Sequence, residues 1–151
     1  MTDEAQTHVF EARPRKSRIV ACIIAAVVLV AHVVVALLLR VGGNTGVYFR
    51  WEDQAALAGI GVVLAGLVLL FTRPRLRIAP EGVTVRNVAG DRFFPWDVVR
   101  GFSFPPGASF AHLELPDYEY AAVMAIQAND GERAVEAIDR ARELTAEYKG
   151  Y

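Results

Sequence analysis

The sequence has little of the chemistry that enzymes and metal sites use. Cys22 is the single cysteine of the 151 residues, which excludes an internal disulfide and any site with several cysteine ligands. The three histidines, His8, His32 and His112, are scattered along the chain and cannot form one metal site. No serine lies in the Gly-x-Ser-x-Gly setting of a hydrolase nucleophile. We therefore predict no catalytic, cofactor-binding or metal-binding residues.

An excess of charge of either sign is also lacking. The chain has 16 basic and 17 acidic side chains, and its formal net charge is -1. This balance excludes a strongly basic surface for nucleic acid. The single thiol fits a domain that faces the reducing cytoplasm. The length leaves room for one small domain with one core, beside the apolar stretches described next.

Two long apolar stretches organise the chain, residues 19–39 and residues 54–71. At about 1.5 Å of rise per residue the first spans roughly 30 Å as a helix and the second roughly 27 Å, the thickness of a bilayer's hydrocarbon core. We predict a two-helix transmembrane hairpin with an external loop over residues 40–53. Residues 1–18, polar and without apolar periodicity, are predicted to be a disordered cytoplasmic tail.

The basic residues near the two stretches predict their orientation. The loop carries only Arg40 and Arg50. The outer flanks carry many more: Arg13, Arg15, Lys16, Arg18, Arg73, Arg75 and Arg77. Because loops on the cytoplasmic side of a membrane are enriched in Lys and Arg, both termini are predicted to face the cytoplasm, with the protein in the cell membrane.

The first stretch leaves three alternatives open. A cleaved secretory signal is disfavoured, since the run is too long and residues 37–40 offer no small-x-small cleavage site. The residues before Cys22 resemble a lipobox, but nearly the whole apolar run follows this cysteine, which disfavours acylation. A proton relay at His32 is disfavoured because no acidic residue lies within the stretch. We expect a neutral imidazole that is bonded within the hairpin or to a neighbouring chain.

Small residues recur at a spacing of four in the second stretch, at Ala55 and Gly59 and at Gly61 and Ala65. In lipid this spacing lets helix backbones approach closely. We expect it to dock the second helix on the first. A homodimer contact is the alternative use.

After Arg73 the chain changes to short runs of alternating polar and apolar residues, separated by turn residues. The predicted strands cover residues 75–78, 83–86, 92–94, 98–104, 110–115 and 120–126. Asn129 and Asp130 then predict a helix N-cap, and apolar residues recur at helical spacing as far as Tyr148. These elements predict an antiparallel β-barrel or sandwich closed by a C-terminal α-helix, over residues 73–151.

Five motifs carry a resemblance to a known family. They begin at Arg73 (RPRLRI), Glu81 (EGVTVRN), Phe94 (FPWDVVRGFSFP), His112 (HLELP) and Ala125 (AIQANDGERAV). Together with the two apolar stretches they resemble the bacterial PH-domain membrane proteins of actinobacteria, from residue 19 to about residue 144. The resemblance implies a two-helix transmembrane hairpin followed by an α+β PH-like domain, in which Trp96 and Phe104 belong to the core.

PH-like folds serve lipid-headgroup binding, peptide binding and scaffolding, so the resemblance does not decide which of these three functions the protein has. Members that bind phosphoinositides carry basic residues in and around the first hairpin loop and a basic pair on the second strand. With residues 75–78 as the first strand, that loop is residues 79–82, which is short and acidic. The second strand then offers only Arg86.

The best-founded site residues are Arg73, Arg75 and Arg77, which follow the second stretch at once. Near an anionic leaflet each contributes on the order of 1 kcal/mol to membrane-surface attachment. Arg86 and Arg92 are weaker candidates for contact with a lipid headgroup.

Three functions follow as hypotheses. The first is a membrane-anchored binding or scaffold protein without catalytic activity, which holds its domain at the cytoplasmic leaflet for a protein partner. The second is a module in which Arg75, Arg77, Arg86 and Arg92 bind an anionic lipid headgroup. The third is an enzyme or transporter, or an accessory subunit of one, and a chemical role of this kind would depend on His32 or His112 alone.

Overall fold

The computed structural model describes residues 9–39 and 50–150. The chain divides into two units, the described part of Met1–Lys16 together with Arg73–Tyr151, and Ser17–Thr72. We call the first the domain and the second the hairpin. Residues 1–8 of the predicted tail and most of the predicted loop lie outside the described residues.

The hairpin consists of α1 (Lys16–Leu38) and α2 (Trp51–Leu69), and a 3-10 turn follows α2 at Leu70–Thr72. Both helices are long and apolar enough to cross a membrane, with mean hydropathies of 3.1 and 2.5. The two predicted helices are confirmed, although each begins earlier than its apolar stretch. In α2 the cause is local, since the Asp53 carboxylate accepts a hydrogen bond of 2.9 Å from the backbone N–H of Arg50 and caps the first turn.

Small residues form the contact between the two helices. A Cβ atom placed on Gly61 would lie 2.5 Å from the Cβ of His32, so only glycine fits there. The predicted docking of α2 on α1 is confirmed at Gly61, whose near neighbour is His32 of α1. Ala65 is also buried, whereas Ala55 and Gly59 are exposed. The buried residues of α1 are all alanine: Ala21, Ala25 and Ala36.

The prediction of a disordered tail over residues 1–18 is wrong for its described part. Phe10–Ala12 forms a strand, β1, which pairs antiparallel with β2 (Arg75–Ala79). Phe10 lies opposite Ile78 and Ala12 opposite Leu76, and both side chains face the core. The pairing satisfies the backbone groups along the edge of β2, which explains why so short a segment is ordered.

The domain contains two antiparallel sheets. The first has the order β1-β2-β3-β4, and the second has the order β5-β6-β7. The remaining strands are β3 (Gly82–Arg86), β4 (Asp91–Pro95), β5 (Gly101–Ser103), β6 (Phe110–Glu114) and β7 (Tyr120–Gln127). The predicted antiparallel sandwich is confirmed, but the strand predicted over residues 98–104 is reduced to β5.

A C-terminal helix, α3 (Glu132–Lys149), completes the core between the sheets. It contributes Ala134, Ile138, Ala141 and Leu144, which recur at helical spacing as the sequence predicted. Trp96 packs half-buried at the edge of this core, where its Nε1 donates a hydrogen bond of 3.0 Å to the carbonyl of Ala79.

The start of α3 differs from the predicted N-cap at Asn129 and Asp130. Its N-cap residue is Gly131, and no side chain caps the helix. The Asp130 carboxylate instead accepts hydrogen bonds from the backbone N–H groups of Arg15, at 3.3 Å, and Lys16, at 3.0 Å. The segment that follows β1 is therefore bonded to the start of the C-terminal helix within the domain.

Candidate functional site

The outer face of the four-stranded sheet carries most of the predicted site residues. In the register of the sheet, Arg75 lies opposite Arg86, and Arg86 opposite Asp91. Because directly opposed residues of neighbouring strands share a face, these side chains form one row. We call this surface the arginine face, and it consists of Glu11, Arg75, Arg77, Thr84, Arg86, Asp91 and Phe93.

Arg86 is engaged by an acidic neighbour on the arginine face. Its Nε and Nη2 donate to the two carboxylate oxygens of Asp91, at 2.6 and 2.7 Å. The hydrogen bonds from Arg86, with the nearby charges of Arg73 and Arg75, lower the pKa of Asp91 below its usual value. The Asp91 carboxylate in turn raises the pKa of Arg86. Arg86 therefore offers little unbalanced charge to a ligand.

The three arginines that follow the hairpin differ in their partners. Arg75 Nη1 lies 3.4 Å from a carboxylate oxygen of Glu11, so its charge is partly balanced. Arg77 and Arg73 are exposed and form no ion pair within the part of the chain that the structure describes. Arg73 comes directly after Thr72, where the hairpin ends. These placements are compatible with membrane-surface contact by Arg73, Arg75 and Arg77, which stays a prediction.

Arg92 lies on the opposite face of the same sheet. It is opposite Val85, whose side chain is buried in the core, and its guanidinium carbon is 5.4 Å from the ring centroid of Phe94. Arg92 therefore does not share a face with Arg75, Arg77 and Arg86, and joint binding of one headgroup by these four residues stays a prediction. The alternation of residues within each strand does not show that Arg92 lies on the other face. Which residues of β2 and β4 share a face depends on how both strands pair with β3.

Strand β1 also changes how the chain is compared with headgroup-binding PH domains. The alternation of residues 75–78 predicts the first strand of the domain, but these residues belong to the second. The helical hairpin therefore occupies the connection between the first and second strands. The second strand carries the basic pair Arg75 and Arg77, and the acidic turn at residues 79–82 is the connection between β2 and β3.

The connection between β6 and β7 carries the most exposed aromatic side chain of the described residues. We call residues 115–119 the tyrosine loop. Asp117 and Tyr118 both have positive φ angles, of 58° and 61°, a conformation that costs on the order of 1 kcal/mol or more for such residues. Hydrogen bonds from Leu115 N–H to Glu119 O, at 2.9 Å, and from Glu119 N–H to Pro116 O, at 3.2 Å, hold the loop closed. Tyr118 is fully exposed as a result.

A cavity of about 530 Å³ lies beside the tyrosine loop. Its wall includes His112, whose ring stacks on Tyr120 at a centroid distance of 4.0 Å. Glu114 lies on the same face of the sheet, yet no hydrogen bond joins it to His112 in the described chain. Residues 9–39 and 50–150 contain no group of three residues suited to hold a metal ion. Sequence analysis predicted a turn at Pro116 and Asp117 but missed the exposure of Tyr118.

Two antiparallel sheets closed by a C-terminal helix define a PH-like domain, and comparisons with known proteins agree. A family model described as "Bacterial PH domain" matches residues 73–144. Uncharacterized proteins of Mycobacterium tuberculosis and Mycobacterium bovis are each 50% identical to the chain over 137 residues, which is 91% of this chain and 88% of the relative. No solved structure matches the chain. The chain belongs to the bacterial PH-domain family.

The family model begins at Arg73 and therefore leaves out β1. The hairpin separates β1 from the rest of the domain along the chain.

Proposed function

We propose that the protein is a membrane-anchored binding protein without catalytic activity, which holds its PH-like domain at the cytoplasmic leaflet for a protein partner. PH domains are in general non-catalytic binding or scaffold modules, and the two apolar helices fit an anchor.

The observation that carries the proposal is the attachment of the domain at two points. Only residues 13–15 separate β1 from α1, and only residues 73–74 separate the turn after α2 from β2. Because β1 and β2 are paired, both ends of the hairpin continue into neighbouring strands of one sheet. Two connections this short support a domain that stays near the ends of the two helices.

The orientation rests on charge. Strand β1 precedes the two helices and β2 follows them. If both helices cross the membrane, the chain returns to the side on which it began, where β1 and β2 can pair. The flanking basic residues, among them Arg13, Arg15 and Arg73, favour the cytoplasmic side.

The surface that best suits a protein partner is the tyrosine loop. Tyrosine is enriched among the residues that dominate protein interfaces, because it buries a large rigid ring and also offers a hydroxyl. Tyr118 is exposed on a loop that two backbone hydrogen bonds hold closed, so binding costs little ordering of the backbone. The stacked rings of His112 and Tyr120 extend the aromatic surface.

A photo-crosslinking amino acid at position 118 tests this assignment in the full chain, in cells that make the protein. The matched control places the same amino acid at Val135, an exposed apolar residue of α3. We expect one discrete protein adduct from position 118 and none from position 135. Excess wild-type chain should compete for the adduct, whereas excess Tyr118→Ala chain should not. Equal labelling from both positions, or adducts with lipid only, would contradict the proposal.

A further inference from the structure

The cavity beside the tyrosine loop carries an excess of negative charge. Its lining includes the carboxylates of Glu114, Asp117 and Glu119. Arg100 is the single arginine or lysine among the described residues of the lining. The cavity, of about 530 Å³, is as large as pockets that hold small molecules, so it has room for a long side chain of a partner.

The three carboxylates have no partner within the described chain. Glu114, Asp117 and Glu119 are exposed, and their side chains form no ion pair or hydrogen bond within residues 9–39 and 50–150. Arg100 forms no ion pair in these ranges either, so it does not neutralise any one of them. The exposed carboxylate of Asp91, by contrast, is engaged by an arginine. The carboxylates of the cavity are therefore available to a ligand.

Aromatic rings lie beside these carboxylates. Glu114 is directly opposite Tyr120 in the pairing of β6 with β7, so the two side chains share one face of the second sheet. The ring of His112 stacks on Tyr120, whereas Tyr118 is fully exposed. The face of a tyrosine ring attracts a lysine ammonium or an arginine guanidinium. The rings and the carboxylates thus favour the same ligand, an organic cation.

The conformation of the loop does not require this charge. Asp117 has a φ angle of 58°, and asparagine tolerates such a conformation as well as aspartate does, so an uncharged side chain would serve there. The side chains of Glu114 and Glu119 are exposed and bond to no other described residue. Like charges close together repel each other, so the loop gains no stability from three carboxylates.

The attachment of the domain indicates which cations are available. Only residues 13–15 and 73–74 connect it to the hairpin. If the hairpin crosses the bilayer with the domain on the cytoplasmic side, the domain stays near the segments where membrane proteins carry their excess of lysine and arginine. Anionic lipid headgroups of the same leaflet would be repelled by the carboxylates.

We propose that the cavity beside the tyrosine loop binds an arginine or lysine side chain from the basic, membrane-flanking segment of a partner protein. Tyr118, Asp117 and Glu119 are its ligands, and Glu114 adds negative charge from the sheet. This inference rests on the proposed function and adds the chemistry of the partner. The proposed function requires only that a protein contacts Tyr118, whereas the inference requires that the contact depends on charge.

A defined peptide tests the carboxylates. The probe is a short labelled peptide that repeats Gly-Ser-Arg, and fluorescence anisotropy measures its affinity for the full chain in dodecyl maltoside micelles, which are uncharged. Asp117→Asn and Glu119→Gln should each weaken binding by about threefold, and added salt should weaken binding to the wild type. The same peptide with glutamine in place of arginine should not bind measurably.

The matched control for these variants is Glu81→Gln. Glu81 is exposed in the turn between β2 and β3, lies outside the cavity and forms no ion pair in the part of the chain that the structure describes. This variant should bind the peptide as the wild type does. A loss as large as in the cavity variants would indicate diffuse attraction to charge and overturn the proposal, as would equal binding of the glutamine peptide.

Two substitutions of Tyr118 separate cation recognition from general apolar contact. Phenylalanine keeps a ring whose face attracts a cation, whereas leucine keeps apolar surface without a ring. Tyr118→Phe should bind the peptide as the wild type does, and Tyr118→Leu about two- to fivefold more weakly. Equal binding by both variants would overturn the cation contact.

Photo-crosslinking from position 118 separates this inference from the proposed function. The protein adduct should fall severalfold when Asp117→Asn and Glu119→Gln are combined. An adduct that forms equally in that double variant would leave the partner in place and overturn its recognition by charge. An adduct between two copies of this chain would overturn the assignment to a different protein. Peptide binding without a protein adduct would support the cation site and contradict the proposed function.

Discussion

The domain and the hairpin distribute their side chains in opposite ways. In the domain, large apolar residues such as Leu76, Ile78 and Leu113 are fully buried, and charged residues lie outside. In the hairpin the buried residues are alanine and glycine, whereas the exposed ones are mostly valine, isoleucine and leucine. One chain thus follows two packing rules, as expected if the hairpin lies in lipid and the domain in water.

The physical reason is the driving force available in each solvent. In water the burial of apolar surface stabilises the fold by roughly 25 cal/mol for each Å². In lipid that force between helices is absent, and close contact of backbones at small residues replaces it. At Gly61 the missing side chain lets α2 approach the side chain of His32 on α1 closely. Substitutions that shorten an apolar side chain in the domain and in the hairpin therefore test whether burial stabilises the two units differently.

The largest expected effect is in the domain core. Leu113→Ala removes a side chain with 0% exposure and should lower the free energy of unfolding by about 2–5 kcal/mol, because it leaves a cavity between the sheets. Val62→Ala in α2 removes a side chain that is 59% exposed and should change the stability by less than about 0.5 kcal/mol. Denaturant unfolding of the full chain in micelles measures both. Similar losses would break the contrast between the units.

A smaller effect is expected at the helix contact. In Gly61→Val the new Cβ would lie 2.5 Å from the Cβ of His32, so the helices must separate, at a cost of about 1–3 kcal/mol. Gly59→Val is the control, since no atom lies within 4 Å of its new Cβ. Disulfide formation between cysteines introduced on α1 and α2 reports the separation. Equal crosslinking in both variants would show that close packing at Gly61 is not required.

The smallest effect concerns the exposed pair of Arg86 and Asp91. The pKa of Asp91 is lower in the folded chain than in the unfolded chain, so its stabilising contribution is present above the unfolded value of about 3.9 and is lost as the pH falls through the folded value. The wild type should therefore exceed Asp91→Asn in melting temperature near neutral pH, and this difference should vanish under acid conditions. Salt should reduce it, because the pair is exposed.

Asp97→Asn is the matched control for this measurement, since Asp97 is exposed and forms no ion pair in the described ranges. Its melting temperature should follow that of the wild type across the same pH range. A difference between wild type and Asp91→Asn that does not change with pH would contradict a role for the Asp91 charge.

The sequence predicted the elements whose signals are local. Residues 19–39 and 54–71 indicated the helices by length and composition, and alternation around Val83 and Val85 indicated β3. The helical spacing from Ala134 to Leu144 predicted the face of α3 that is buried. In each case the periodicity of a single element was sufficient evidence.

The features that sequence analysis missed depend on distant parts of the chain. Strand β1 is three residues long and carries no repeated pattern, and its partner β2 follows only after both helices. The residues around Asp130 predict a helix cap, whereas its carboxylate accepts hydrogen bonds from the backbone N–H groups of Arg15 and Lys16. No local pattern indicates either contact.

The position of β1 ahead of the hairpin also constrains the order of assembly. During synthesis β1 leaves the ribosome first, and its partner strand emerges only after α1 and α2 have been made. A chain in which just one helix crossed the bilayer would leave β1 and β2 on opposite sides, and the first sheet would stay one strand short. If both helices cross the bilayer, the first sheet can therefore be completed only after both crossings have taken place.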